Sequence, residues 1–270
     1  MSHLLAVRKL TKRYRRGGGV LSESPGGSDF TAVDDVSFEV AAGETFAIVG
    51  ESGCGKTTLA RMLLRLIEPD AGEILFQGKN ILELPAEGMR AERRQMQMIF
   101  QDPFASLNPR MKVGEIVGEP LAIHEAKVGK AERATRVAEA LRRVGLDELA
   151  LQRYPHEFSG GQRQRIGIAR ALILRPKLIV ADEPVSALDV SVGAQVLLLL
   201  QELQQELGLT YIFISHSLPV VAQLATHIAV MRAGRFVECG AAKQILQHPQ
   251  VGYTKELLAS VPEIPAAANS

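Results

Sequence analysis

Short apolar runs and longer helical patterns alternate along most of the chain. Thr45–Val49, Met96–Phe100 and Leu178–Ala181 are apolar runs of the length expected for buried strands. Val190–Leu207 is long enough for a helix and is followed by Gly208, a residue type that commonly ends one. Because buried strands that alternate with helices form parallel sheets covered on both faces, the pattern predicts an α/β fold.

The N-terminal part has a different pattern, which is typical of antiparallel strands. We expect strands over residues 4–10 and 33–40, and every second residue from Val36 to Val40 is apolar. Gly72–Ile81 is typical of a hairpin that turns at Gln77-Gly78. These patterns predict antiparallel β structure in this part of the chain.

Two further segments differ from their surroundings. Residues 17–28 are rich in glycine and serine, a composition typical of a flexible surface loop. Residues 102–160 are predicted to be a helical insertion, in which Lys130–Val144 places apolar side chains on one face and stops at Gly145. The other elements expected are helices over Thr57–Ile67 and Gly161–Leu174, a strand over Tyr211–Ser215, a short helix from Leu218, and strands over residues 227–232 and 235–239 around Ala233-Gly234.

Charge and apolar content exclude several classes of function. The chain has 31 Lys and Arg residues against 30 Asp and Glu residues, so nothing favours attraction to nucleic acid. No apolar run approaches the roughly 18 residues of a membrane-spanning helix, and the N-terminus lacks a signal-peptide pattern. Cys54 and Cys239 lie far apart and are expected to be reduced thiols of a cytosolic protein. A membrane role would therefore have to come through a partner.

A glycine-rich stretch between a predicted strand and a predicted helix matches the phosphate-loop pattern. The stretch comprises Gly50, Glu51, Ser52, Gly53, Cys54, Gly55, Lys56 and Thr57, with Thr58 following. In this pattern backbone N–H groups surround a phosphate, Lys56 reaches the β- and γ-phosphates, and the Thr57 hydroxyl binds Mg²⁺. A thiol at a helix N-terminus beside a lysine is also expected to have a lowered pKa, which would apply to Cys54.

Two acidic residues follow the apolar run that starts at Leu178. In a parallel sheet the carboxyl ends of the strands line the ligand crevice, so Asp182 can hold Mg²⁺ and Glu183 can polarise an attacking water as general base. The alternative is that these acids form a helix N-cap before Pro184. The phosphate loop elsewhere in the chain favours the catalytic interpretation.

A second candidate anion site begins at Ser159, where a serine and two glycines open a predicted helix. The alternative is a plain helix cap. The segment from Phe158 to Arg165, which contains Ser159, Gly160, Gly161 and Gln162, resembles the signature of ATP-binding cassette (ABC) ATPases, and the resemblance runs from about residue 4 to residue 262. It implies that two cassettes dimerise head to tail, so that the Ser159 segment of one caps the nucleotide on the Lys56 loop of the other.

The resemblance assigns further roles residue by residue. Gln101 corresponds to the glutamine that senses Mg²⁺ and the γ-phosphate, and His216 to the histidine that contacts the γ-phosphate. Asp189 lies in the segment at the dimer seam, and Tyr14 fits the aromatic residue that stacks on adenine. The implied catalytic residues are thus Glu183, His216, Gln101 and Lys56; the implied Mg²⁺ ligands are Thr57, Gln101 and Asp182.

The resemblance also implies the fold class and the domain organisation. It predicts a RecA-like P-loop NTPase core with an N-terminal antiparallel β subdomain and an inserted α-helical subdomain. The core would comprise about residues 1–101 and 161–240, the insertion about 102–160, and a C-terminal extension about 241–270. There is no internal repeat, so the chain holds a single cassette.

Finer likeness points to the dipeptide, oligopeptide and nickel importer ATPases. It rests on Gln101–Arg110, Tyr154–His156, Glu183–Val192 and the tail from Tyr253 to Leu258 with Pro262. It implies permease subunits in the membrane, an identical or related second ATPase, an extracytoplasmic solute-binding protein and a peripheral position on the cytoplasmic face. The sequence departs from the family at Ser217, where an aspartate is usual; serine also caps helices, so the following helix is expected to form.

Two other classes of protein would share part of these motifs. A soluble ABC ATPase that works without a channel would use the same site, although many such proteins carry two cassettes in one chain. A kinase or a GTPase switch would share the phosphate loop, but the Ser159 segment would then be unexplained. The transported solute is not identified by the sequence, with peptides favoured by resemblance and nickel, opines or glycosides left open.

Overall fold

A computed structural model of the chain describes residues 3–14 and 30–260. The predicted loop over residues 17–28 and the tail residue Pro262 therefore lie outside the described residues. The chain divides into two compact units. One contains the residues up to Pro85 and those from His216 onward, and the other comprises Ala86–Ser215.

The described residues form ten strands and nine α-helices. The strands are β1 Leu5–Tyr14, β2 Phe30–Val40, β3 Thr45–Val49, β4 Ala71–Phe76, β5 Lys79–Asn80, β6 Met96–Ile99, β7 Leu178–Asp182, β8 Thr210–Ser215, β9 His227–Arg232 and β10 Arg235–Ala241. The helices are α1 Lys56–Leu63, α2 Ala86–Arg93, α3 Val113–His124, α4 Lys130–Arg143, α5 Gly160–Leu172, α6 Val190–Leu207, α7 Leu218–Leu224, α8 Ala242–Gln247 and α9 Gly252–Ala259. None of these helices is both long enough and apolar enough to cross a membrane.

The first unit contains an antiparallel sheet in the order β2-β1-β4-β5, as the alternating pattern predicts. The hairpin between β4 and β5 turns at Gln77 and Gly78, both of which have a positive φ. Two such residues match the right-handed twist of the flanking strands. The predicted hairpin is therefore confirmed, and β1 and β2 are longer than predicted.

The same unit places β3 beside β9 in parallel and β9 beside β10 in antiparallel. All five residues of β3 are buried. Helix α1 follows β3 and ends at Leu63, four residues before the predicted end. The chain turns away at Arg65, whose φ of 49° is incompatible with a continuing α-helix.

The second unit contains β6, β7 and β8 in parallel, with β7 in the middle and buried over its full length. Helices α3, α4 and α5 pack on one another. The prediction of a helix over Lys130–Val144 is confirmed by α4, and Gly145 after it has a positive φ. Helix α2 was not predicted, because its sequence is dominated by charged residues and only Met89 and Glu92 are buried.

Candidate functional site

The predicted phosphate loop connects β3 to α1 in the first unit. Its glycines are required by two features, the backbone angles and the space around them. Gly50, Gly53 and Gly55 all have positive φ values. A Cβ atom at Gly50 would overlap the Met231 carbonyl oxygen, and one at Gly55 would overlap the Ala32 carbonyl oxygen. The loop therefore lies directly against the backbone of its neighbours, and larger residues cannot hold this shape.

Lys56 is buried inside the loop, with 5% of its surface exposed. Its Nζ donates hydrogen bonds to the carbonyl oxygens of Gly50 and Glu51, over 2.7 and 2.8 Å. These bonds hold the ammonium group on the inner side of the loop. Glu51, Ser52 and Gly53 form the exposed tip, and Thr57 and Thr58 are half-buried in the first turn of α1.

The N-terminus of α1 differs from those of two other helices in the way it is capped. Ser159 and Asp189 cap α5 and α6 with side-chain oxygens that accept from the first turn. At α1 the capping position is Gly55, which has no side chain and makes no such bond. Because the N–H groups at a helix start attract an anion, a phosphate oxygen is a suitable acceptor at α1.

Cys54 does not have the lowered pKa that the sequence predicts. Only 9% of the residue is exposed, and burial raises the pKa of its thiol because the thiolate would lose solvation. Lys56 Nζ lies 3.9 Å from the Cys54 sulfur and lowers the pKa, but by less than burial raises it. The prediction of an activated thiolate was therefore wrong: the spacing to Lys56 was correct, and the desolvation was not visible in the sequence.

The back of the loop is held by the C-terminal part of the same unit. The Gly234 amide donates a hydrogen bond of 2.9 Å to the carbonyl oxygen of Cys54. The hydroxyl of Tyr253, on α9, accepts a hydrogen bond from the Glu51 amide over 3.4 Å. In the sequence, Tyr253 stands out only as part of the tail that resembles importer ATPases. Neither contact could be predicted, because the partners are far apart along the chain.

In the second unit, three predicted site residues lie at the ends of β6 and β7. Asp182 is the last residue of β7 and is buried, with 3% exposed. Glu183 follows with a φ of 47°, a left-handed conformation that is uncommon for this residue type. Its carboxylate accepts a hydrogen bond of 3.0 Å from the Nε2 of Gln101, an exposed residue that lies just beyond the end of β6. The structure therefore brings Gln101 and Glu183 together.

The alternative interpretation of Asp182 and Glu183 as a helix N-cap is wrong. The residues from Pro184 to Ala187 form turns, and the next helix, α6, begins at Val190. Its N-cap is Asp189, whose Oδ1 accepts a hydrogen bond of 2.9 Å from the Val192 amide. Asp189 thus has a local structural role that is independent of any nucleotide.

The Ser159 segment forms the start of α5 and makes the cap that was considered as an alternative. The Ser159 Oγ accepts from the Gln162 amide over 3.4 Å, and the Gln162 Oε1 accepts from the Ser159 amide over 3.0 Å. A Cβ atom at Gly161 would overlap a methyl group of Val192, and one at Gly160 would contact Leu188. The glycines therefore let α5 approach the start of α6 closely, and the anion role of the segment stays a prediction.

Tyr14, His216 and Ser217 lie in exposed or half-buried positions of the first unit. Tyr14 ends β1 with 38% of its surface exposed, and Lys12 Nζ lies 5.6 Å from the centre of its ring. His216 is exposed. Helix α7 forms after Ser217, as expected, but the Ser217 side chain makes no capping hydrogen bond to it.

Comparison with known proteins identifies relatives over most of the chain. The family model for ABC transporters matches residues 33–186. The oligopeptide transport ATP-binding protein OppF of Bacillus subtilis is 53% identical over 232 residues, which cover 86% of this chain and 76% of that protein. The dipeptide transport ATP-binding protein DppF of Haemophilus influenzae is 52% identical over 233 residues, which cover 86% and 71%.

Solved structures agree with these sequence matches. A cbiO1 protein from Clostridium perfringens, part of the ABC transporter complex cbiONQ, superposes with a TM-score of 0.77 at 29% identity and 92% coverage of both chains. A dimeric ATP-binding cassette bound to ADP and Pi superposes with a TM-score of 0.77 at 28% identity, covering 88% of this chain and 98% of that one. These matches agree with the phosphate loop and the fold described above. The chain therefore belongs to the ABC transporter family, among its ATP-hydrolysing cassettes.

Proposed function

We propose that the chain is the ATP-hydrolysing subunit of an importer that takes up peptides. The observation that carries the ATPase part is the junction of β3 and α1, where a glycine-bounded loop holds Lys56 and α1 begins without a side-chain cap. The names of the relatives, which are peptide transport ATP-binding proteins, support import as the process and peptides as the cargo.

The phosphate loop would bind the triphosphate of ATP. Its backbone N–H groups and the N-terminus of α1 favour phosphate oxygens, and Lys56 supplies a positive charge at the β- and γ-phosphates. Lys56 would exchange its bonds to the Gly50 and Glu51 carbonyl oxygens for bonds to phosphate. Tyr14, at the exposed end of β1, offers its ring for stacking on adenine.

Thr57, Gln101 and Asp182 are the residues proposed to hold Mg²⁺. They supply a hydroxyl, an amide and a carboxylate oxygen, which are the hard donors that this ion prefers. Asp182 is buried at the carboxyl end of β7, the edge of a parallel sheet at which ligands bind. When bound, Mg²⁺ neutralises charge that develops on the phosphates.

Glu183 is proposed as the general base. Its carboxylate can accept a proton from the attacking water, and its left-handed backbone conformation turns it away from the direction of β7. The hydrogen bond from Gln101 fixes the carboxylate in one orientation. His216 would contact the γ-phosphate, so that charge stabilisation and positioning supply most of the rate enhancement.

Assembly is proposed to complete the site. The segment from Ser159 to Gln162, together with Asp189, would contact the nucleotide bound to the phosphate loop of a second cassette, identical or related. The segment over residues 102–160 would contact permease subunits in the membrane and place the chain at the cytoplasmic face. An extracytoplasmic solute-binding protein would supply the peptide.

The function is tested with the full-length chain and with its transporter. Lys56→Ala should weaken ATP binding about 10- to 100-fold, the range expected for a lost charge-assisted hydrogen bond. A strain that lacks the gene should lose uptake of labelled peptides and regain it with the parent gene but not with Lys56→Ala. Normal peptide uptake in the deletion strain would contradict the assigned cargo, and absence of ATP hydrolysis in the assembled complex would contradict the activity.

A further inference from the structure

We propose that Tyr253 is a positioning residue that couples helix α9 to the phosphate loop, so that nucleotide binding and the docking of α9 strengthen each other. The inference rests on the proposed function, since it assumes that the loop binds ATP. Helix α9 would thereby have a role in nucleotide binding, beyond the likeness of its sequence to importer ATPases.

The contact between α9 and the loop is made by a buried side chain. Tyr253 has 7% of its surface exposed, and its hydroxyl accepts a hydrogen bond from the Glu51 amide over 3.4 Å. The guanidinium carbon of Arg232 lies 4.6 Å from the centre of the Tyr253 ring. A buried tyrosine hydroxyl usually finds a polar partner, and here the partner belongs to the second residue of the phosphate loop.

Helix α9 is fixed to the sheet that carries the loop. The carboxylate of Glu238, on β10, accepts hydrogen bonds from the amides of Gln250 and Val251 over 2.8 and 3.3 Å. These residues immediately precede α9, and Thr254 in its first turn is 1% exposed. The start of the helix is thus tied to β10, which leaves the Tyr253 hydroxyl little freedom to move away from the loop.

The loop is supported from the same side at two further points. The Gly234 amide bonds to the Cys54 carbonyl oxygen, and Gly50 packs directly against the Met231 carbonyl oxygen. Met231 and Gly234 belong to the β9–β10 hairpin, the same hairpin to which α9 is anchored. The backbone of the loop therefore rests on this hairpin at two points, and through Tyr253 the C-terminal helix joins the same support.

This arrangement has a thermodynamic consequence. The Glu51–Tyr253 bond is longer than the 2.9–3.0 Å that is most common for N–H···O bonds, so it can shorten when the loop closes around phosphates. If nucleotide binding strengthens the bond, it also strengthens the docking of α9, because coupling between two sites acts equally in both directions. Removing the hydroxyl should then weaken nucleotide binding without affecting the chemical step.

The test compares two variants that each remove one buried tyrosine hydroxyl. Tyr253→Phe keeps the ring and its contact with Arg232 but gives up the bond to the loop. Tyr211→Phe is the matched control, since its hydroxyl donates a bond of 3.1 Å to the Leu200 carbonyl oxygen and lies outside the proposed site. We expect Tyr253→Phe to raise the Kd and KM for ATP about two- to tenfold with kcat unchanged, the range for one hydrogen bond. The control should keep both values and lower only the melting temperature.

A second measurement uses hydrogen exchange. Hydrogen exchange of the wild-type chain should show that Mg-ATP protects the amides of residues 252–259, and Tyr253→Phe should lose most of this protection. An unchanged Kd in Tyr253→Phe, an equal loss in kcat, or no protection of α9 by ATP in the wild type would each overturn the coupling. A wild-type chain that fails to bind ATP would instead contradict the proposed function, which separates the two failures.

Discussion

The side-chain amide of Gln101 donates a hydrogen bond of 3.0 Å to the carboxylate of Glu183. The two residues are 82 positions apart in the chain and meet because β6 and β7 are parallel neighbours whose carboxyl ends coincide. A residue proposed to sense Mg²⁺ and the γ-phosphate thus directly touches the proposed general base. Any movement of Gln101 toward Mg²⁺ would break this bond and let the Glu183 carboxylate change its orientation.

Glu183→Gln should keep ATP binding and lose on the order of a hundredfold or more in turnover, because the amide cannot accept the proton from water. The variant should accumulate as a closed, ATP-bound dimer. Single-turnover hydrolysis and size-exclusion chromatography in Mg-ATP measure the two effects. Near-normal turnover would remove Glu183 from the role of base.

Ser159→Arg should leave ATP binding to the isolated chain intact, since its own phosphate loop is unchanged. Hydrolysis in the assembled transporter should fall on the order of a hundredfold, the loss expected when an anion-stabilising group is removed. Ser159→Ala separates the two effects of the arginine, because it removes the hydroxyl and the cap of α5, at a cost of about 1 kcal/mol, without adding bulk or charge. Loss of ATP binding by a monomeric Ser159→Arg sample would contradict a site completed by a partner.

Cysteine labelling tests whether burial raises the pKa of the Cys54 thiol. Burial raises the pKa of both thiols, but Cys54 is buried whereas Cys239 is exposed. A maleimide at pH 7 should therefore modify Cys239 several-fold faster than Cys54, with mass spectrometry of the peptides as the measurement. Raising the pH should speed both reactions, because the thiolate fraction of each cysteine grows as the pH approaches its raised pKa. Preferential labelling of Cys54 at neutral pH would restore the original prediction of an activated thiolate.

The ion pairs of Glu125 are expected to make the stability of the protein depend on pH. Its carboxylate bonds to Arg136 over 2.5 Å and to Arg94 over 2.7 Å, and the bond from Arg136 is the main reason why the pKa of Glu125 lies below its ordinary value of 4.5. Such a carboxylate contributes stability above its ordinary pKa and loses that contribution as the pH falls through the lowered value.

Glu125→Gln should therefore lower stability at pH 7 by about 1 kcal/mol, or roughly 2–4 °C in melting temperature. The difference from the parent should shrink as the pH falls below 4.5 and through the lowered pKa, where Glu125 in the parent becomes protonated. His124 lies beside this cluster, and burial with Arg90 and Arg94 lowers its pKa, so it should stay neutral at pH 7. A difference that stays constant from pH 7 to pH 3 would contradict the assignment to Glu125.

Elements with strong local signals could be predicted from the sequence to within a residue. Helix α6 has the predicted bounds because Asp189 caps its start and Gly208 adopts a φ of 62° at its end. The turn at Gln77 and Gly78 is set by its own residues in the same way. Helix α2 was missed because its charged sequence has little apolar periodicity.

The site residues could be located by motif, but their environment could not. The pKa of Cys54 depends on burial, which its motif does not specify, and Tyr253 reaches a loop 202 positions away. The hydrogen bond between Gln101 and Glu183 follows from strand order, which no local pattern specifies. The motifs identify the site residues, whereas the packing of distant segments decides whether a side chain such as Cys54 is ionised and which residues it contacts.

The close approach of Gly161 to Val192 limits which residues this chain can accept at the two positions. Because a β-carbon at position 161 would occupy the space of a Val192 methyl group, position 161 should accept only glycine while Val192 is retained. An alanine at 161 would require a smaller residue at 192. A library that randomises both positions should therefore recover coupled pairs, while libraries that vary position 161 alone should return glycine.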